Sequence, residues 1–464
     1  MNIVPDRLEK EINEGISKLR EQGRKYIYRI EIPIERTDIL IWLSHQPNRL
    51  KFYYQDPGLQ YEMGGIGAAH IIEGEISENY DTIFKKALPG DDRVRYYGGL
   101  RFLSKYKWAE EWEPYGSYRF FVPKYEIIAR KGIFFLAYNF ADRTKKDIDD
   151  LRNLVFVFDN PVYNQPELMK RTNIPDFEMW HEMVDAVQKK IEERLFSKIV
   201  LARKTILEFD RQLNPFLVLK RLKRTIAKSI LFLLQPDADS VFIGATPELL
   251  FRRTGRRIFS EIIAGTRSRG KNIVEDKKLA RALMESEKER LEHKIVFDGV
   301  TDAFKSFCRT VIPNGNISIL QLNRVQHLYN TISGILETKK NDADILKYLH
   351  PTPAVGGYPK EESLKFIAHI ESFDRGWYSG PTGWFNREAA CFSVAIRSGL
   401  IEQNRLSLYS GAGIVIGSRA LAEWEEIESK IVNFLQAVHV TTVPEKHQHS
   451  LGMLDHRRTF KERY

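Results

Sequence analysis

Strands and helices follow one another along this chain without a regular strand–helix–strand rhythm, and that irregularity constrains the fold most. A parallel sheet needs a long crossover, usually a helix, between successive strands. Here the strands come in runs instead. Residues 26–32, 39–43, 118–122, 125–129, 133–138 and 154–158 read as short strands between turns. Later strands are expected at 198–207, 229–234, 241–244, 391–398 and 406–410. Helices are expected at 5–23, with Leu8, Ile12, Ile16 and Leu19 on one face, and at 180–196, with Met183, Val187, Ile191 and Leu195. Asn214-Pro215 supplies a cap and a first-turn proline for a helix to about 227. One long helix is expected over 275–308 and a last one over 420–438. The pattern predicts a large α+β fold with mostly antiparallel sheets, and no linker divides it.

Composition excludes several classes. At 43% hydrophobic and 29% charged residues, the 464-residue chain is not a disordered one. No apolar run approaches the ~18 residues of a membrane span, and the charged N-terminus lacks a secretory apolar core. Cys308 and Cys391 are the only cysteines, too few for a disulfide framework or a zinc site. A reducing cytoplasm is the expected location. The net charge of +9 is mild and mixed with acids, so an acidic small substrate accounts for it without nucleic acid. Arg252-Arg253 and Arg256-Arg257 flank Thr254-Gly255 and read as a solvated hairpin. The tail beyond Val440 carries His447, His449 and His456, read as surface residues.

Five constellations carry candidate chemistry. Glu289 and Glu292 stand three apart on one expected helix, and Glu423 and Glu426 three apart on another. Residues at that spacing share a face. Two such faces meeting would make an oxygen nest suited to Mg²⁺; a solvated charged face is the plainer alternative. Apolar neighbours such as Leu291, Ile295, Trp424 and Ile427 put these carboxylates next to the core, where they need partners. Lys198 opens an apolar strand and is either a buried base or a strand-end lysine reaching water. Glu248, after Thr246-Pro247, is either a half-buried proton donor or a turn cap. Four small-residue loops, 264–270, 353–357, 379–383 and 411–413, are tight turns that together could line an anion pocket. Arg397, read on a strand with alternating apolar neighbours, points either into a polar cavity or to solvent. Tyr378 could add a hydroxyl or belong to the core.

Nine segments in order, SKIVLARK, IGATPELLF, IIAGTRSRG, EKERLEHKIV, LHPTPAVGGYP, YSGPTGW, FSVAIRS, GAGIV and EWEEIESK, resemble the chorismate-binding enzyme family. They span about residues 190–440. The resemblance implies the fold class: two mostly antiparallel sheets packed face to face with helices outside. It implies a variable N-terminal part of the same unit over 1–180, a catalytic part over 181–440 and a polar tail over 441–464. It also implies roles. Glu289, Glu292, Glu423 and Glu426 match the Mg²⁺ positions, with Glu292 and Glu426 as direct ligands. Lys198 matches the general base of the water-adding members and Glu248 their general acid. Gly265, Thr266, Tyr378, Arg397, Gly411 and Gly413 match positions that hold the carboxylates of chorismate. His350 matches a position near the reacting ring.

Within the family, Ala264 stands where the aminodeoxychorismate synthases carry a lysine, and the ammonia-using anthranilate enzymes lack the lysine found here at 198. Ala354 matches the isochorismate synthases, whereas salicylate and anthranilate synthases tend to carry threonine there. The long N-terminal region resembles the menaquinone-pathway isochorismate synthases more than the siderophore ones. Salicylate synthase, a siderophore-pathway isochorismate synthase and a non-catalytic binder of the same fold remain the alternatives.

Overall fold

The structure is a computed structural model. It describes residues 26–440 apart from 48–49, 76–79, 104–107, 142–152, 158, 160–162 and 227. The expected helix at 5–23 and the histidine-bearing tail lie outside the described residues.

Two large sheets, one of twelve strands and one of ten, make the frame, and every strand pair within them is antiparallel among the described residues. Both draw strands from early and late in the chain. In the larger sheet Lys51–Gln55 pairs with Ile230–Gln235, and in the smaller Tyr96–Leu100 pairs with Pro381–Phe385.

The strands are apolar on both faces because both faces are covered. In Ile230–Gln235, residues Ile230, Phe232 and Leu234 point between the sheets, packing with Tyr97, Phe121 and Trp384 of the other sheet. Leu231 and Leu233 point the opposite way, onto Leu219 and Leu222 of helix Pro215–Thr225. Strand alternation thus assigns alternate residues to the inter-sheet core and to a helix-covered core.

Four readings from sequence are corrected by these elements. Residues 39–43 are not a strand; helix Ile39–His45 occupies them, capped by Asp38, whose carboxylate accepts from Ile41 N–H at 3.2 Å. All five apolar residues are buried, so the run carries no period that tells helix from strand. Residues 154–157 form no strand, since the Gln46 side-chain amide takes both Val155 backbone groups, at 2.7 and 3.2 Å. The long helix is two, Ile273–Glu285 and Glu287–Lys305, broken at Ser286, which leaves helical geometry and caps the second. The hairpin around Gly255 forms, but Arg253 is buried rather than solvated, bound to Asp342 at 2.5 and 2.7 Å.

The chain crosses between the sheets twice at one place. Strand Ser240–Thr246 belongs to the larger sheet and Leu249–Thr254 to the smaller, so Pro247 and Glu248 form the crossing. Strand Ala389–Val394 belongs to the smaller sheet and Ser398–Glu402 to the larger, so residues 395–397 form the return. The two crossings bond to each other: Val394 N–H donates to Glu248 O at 3.1 Å and Ala245 N–H to Arg397 O at 3.0 Å.

Candidate active site

A cavity opens beside these crossings. Its lining includes Lys198, Glu248, Ala264, Gly265, Thr266, Glu292, Ala354, Tyr378, Arg397, Gly411, Gly413 and Glu426. These residues come from nine separate stretches of sequence and meet around one space. A larger, more open groove bordered by Phe84, Tyr96, Arg256 and Phe385 holds none of the predicted residues.

Lys198 begins strand Lys198–Phe209, and alternation puts Lys198 and Val200 on the cavity face. Its ammonium lies 2.9 Å from Glu292 Oε1. Gly413, opposite Val200 on the neighbouring strand, makes room for that pair. A Cβ there would sit 2.3 Å from Glu292 Oε1 and 2.8 Å from Lys198 Cε. Burial alone would raise the Glu292 carboxyl, but Lys198 overrides it and, with Lys430 and Lys288, holds it below the usual range.

Glu248 is the contrasting acid. Proline at 247 cannot continue the strand ladder, and the turn it makes aims a buried carboxyl at the cavity. Burial and the nearby Glu261 outweigh Lys198 and Lys430 and push this carboxyl up to about 7. Two carboxyls facing one cavity are thus split, one ionised and one able to hold a proton near neutrality.

The break at Ser286 starts a new helix just before the first glutamate pair. Burial, then Glu292 and Glu426, push Glu289 up to about 7. Its Oε2 accepts from Thr266 N–H at 2.9 Å. On helix Ala420–Ala437, burial and Glu426 raise Glu423. Lysines partner two of these glutamates: Lys288 sits 2.6 Å from Glu423 and Lys430 2.7 Å from Glu426. Among the described residues no three carboxylate, imidazole or thiol groups already converge on one point.

Arg397 is not on a strand. It occupies the sheet-to-sheet return with a left-handed backbone, φ 51°. Burial pushes its guanidinium down to about 10, so it stays cationic at neutral pH. Tyr378 keeps its phenol proton, burial pushing it up to about 12. Three of the four small-residue stretches contribute lining, but two of them are strand rather than tight turn: 264–268 ends strand Arg257–Ser268 and 411–413 lies in strand Arg405–Ile414, while 379–383 contributes no lining and enters strand Pro381–Phe385. His350 does not line the cavity. It is buried with Nε2 at 3.3 Å from Phe102 O and its ring edge-on to Phe102. Glu289 and Glu423 also stand behind the lining rather than in it.

His327, Ser410 and Lys430 line the cavity unforeseen. Lys430 was findable, four residues after Glu426 and so on the same helix face. His327 comes from strand Val325–Leu336, opposite Thr266, and its Nδ1 lies 3.0 Å from Thr266 Oγ1. Nothing local in the sequence signals that pairing.

The profile of the family described as chorismate binding enzyme matches residues 14–439. The chain belongs to the chorismate-binding enzyme family. It is homologous to isochorismate synthases over most of its length. It is 32% identical to isochorismate synthase 2, chloroplastic, of Arabidopsis thaliana, across 91% of this chain and 83% of that one. It is 28% identical to isochorismate synthase MenF of Bacillus subtilis (strain 168), across 92% and 97%. Its fold matches the structure of MenF, the menaquinone-specific isochorismate synthase of Escherichia coli, with a TM-score of 0.80 and 25% identity, over 93% of this chain and 99% of that one.

Proposed function

We propose that this protein converts chorismate to isochorismate with Mg²⁺. The observation that carries the reading is that Glu248, its carboxyl near neutrality, and Lys198, at the start of its strand, face the same cavity. In this reading Lys198, acting as the neutral amine, takes a proton from a water that attacks ring C2. The ring double bonds shift, and the C4 hydroxyl departs with a proton from Glu248. Water adds and water leaves, so the reaction balances without a redox partner. Each group must come within about 3 Å of its target atom. Arg397 and the Tyr378 hydroxyl bind the enolpyruvyl carboxylate, with Gly265, Thr266, Gly411 and Gly413 giving backbone close approach. Neutral His327, pushed down to about 3 by burial, adds a hydrogen-bonding edge to the same wall.

The donor set fits a hard cation. Burial first, and then their glutamate neighbours, raise Glu289 and Glu423 even with Lys288 beside them, a crowding of carboxylates that a cation would relieve. Glu292 and Glu426 would hold Mg²⁺ directly, with Glu289 and Glu423 behind them. When bound, the ion would neutralise the ring carboxylate and fix the ring. The match to a menaquinone-specific structure over nearly its whole length supports a role in making menaquinone. Two buried free cysteines support a reducing, cytoplasmic setting. Residues 1–180 read as the N-terminal part of the same unit, since strands before residue 141 extend both sheets.

Purified protein incubated with chorismate, with and without Mg²⁺, tests this reading. The expected product is a Mg²⁺-dependent isomer of unchanged mass without pyruvate. Salicylate with stoichiometric pyruvate would move the protein to salicylate synthase, and no turnover would reject the enzyme reading.

A further inference from the structure

The strand that carries Lys198 has an incomplete edge. On one side it pairs continuously with Arg405–Ile414. On the other, Lys198 and Ile199 pair with Tyr358 and Gly357, and pairing resumes only at Lys204, with Ile174. Buried backbone groups in such a gap need partners. Val200 N–H finds Gly356 O at 2.7 Å. Two side chains take further groups. Ala202 N–H donates to Glu371 Oε1 at 2.8 Å, and Arg375 Nη2 donates to Val200 O at 2.7 Å.

Glu371 and Arg375 are themselves a buried pair, each 3% exposed. Arg375 Nε and Nη2 bind the two carboxylate oxygens at 2.8 and 2.5 Å. Its Nη1 donates to Val355 O at 2.9 Å, its guanidinium lies 4.4 Å from the Phe102 ring centre, and its carbonyl accepts from Tyr378 N–H at 2.9 Å. One arginine therefore touches the backbone of three cavity-lining residues, Val200, Val355 and Tyr378.

We propose that the Glu371–Arg375 pair is a positioning device that stands in for the missing strand and sets the spacing between Lys198 and the turn bearing Ala354. Neither side chain lines the cavity. They act through the backbone on each side of it. A lysine at 375 could keep the ion pair, but its single nitrogen cannot also span both carbonyls. The strand and turn would then be free to shift, and displacements of about 1 Å can cost about 100-fold in rate. A loosened turn beside the ring should also relax the choice between adding water and losing pyruvate. In that side reaction the C2 hydrogen of isochorismate passes to the enolpyruvyl methylene as the C3–O bond breaks, giving salicylate and pyruvate.

This inference rests on the reaction proposed above, so Arg375→Lys is assayed beside the wild type with chorismate and Mg²⁺. The expected result is kcat per folded protein down about 100-fold, KM within about 3-fold, and measurable pyruvate per isochorismate where the wild type gives none. The product ratio is independent of how much of the variant folds. Glu371→Gln, which keeps an acceptor for Ala202 N–H, should move the ratio the same way. Loss of activity that tracks loss of folded protein, with the product ratio unchanged in both variants, would overturn the inference. A wild type that makes no isochorismate would instead sink the proposed function.

Discussion

Glu248 sits near two lysines, Lys198 and Lys430, yet burial and Glu261 keep its carboxyl near 7. The direction fixes a pH dependence. The protonated acid is present below about 7 and lost as pH rises through that value, so kcat should fall on the alkaline side. Glu248→Gln cannot donate a proton, and its kcat should drop about 100-fold or more, with the alkaline limb assigned to Glu248 gone. A pH–rate profile of both proteins checks this. Lys198→Ala should likewise abolish water addition while far-UV circular dichroism stays native. Wild-type turnover in that variant would place the base elsewhere.

At the scale of elements, the break at Ser286 and the bare face of Gly413 do the positioning. Ser286 accepts from Glu289 N–H at 3.4 Å and separates two helices where the sequence reads as one. Its polar neighbours, Glu285 and Glu287, disguise the break, because the helical period runs on through them. Ser286→Ala should lower the unfolding free energy by about 1 kcal/mol, read as a lower denaturant midpoint at unchanged slope. Gly413→Ala would drive a methyl into the Lys198–Glu292 pair. Its turnover should fall about 100-fold without loss of secondary structure. The apolar run at 39–43 was unreadable for the opposite reason: every residue is buried, so no polar face marks the period.

At the scale of the molecule, the site exists because the chain changes sheets twice at one point. The candidate residues were legible one at a time, as a lysine opening an apolar strand, a glutamate after a proline, and glutamates three apart. Their convergence was not, because it depends on which strands pair across more than a hundred residues. Arg397 shows the limit: its alternating neighbours mimic a strand, while the structure puts it in the left-handed bend between sheets. His350 shows another, a histidine placed by resemblance near the ring and found bonded to Phe102 O. If the glutamates from the two helices form one cation nest, Mg²⁺ alone should raise the melting temperature of the wild type. It should not do so for Glu292→Gln or Glu426→Gln.

The central claim is that water enters at C2 as the C4 hydroxyl leaves. Turnover of chorismate in ¹⁸O-enriched water, followed by mass spectrometry of the isochorismate, tests it most directly. The account predicts one heavy oxygen per product molecule, carried on C2. Isochorismate without heavy oxygen would mean the hydroxyl migrates within the substrate, and would contradict the roles given to Lys198 and Glu248.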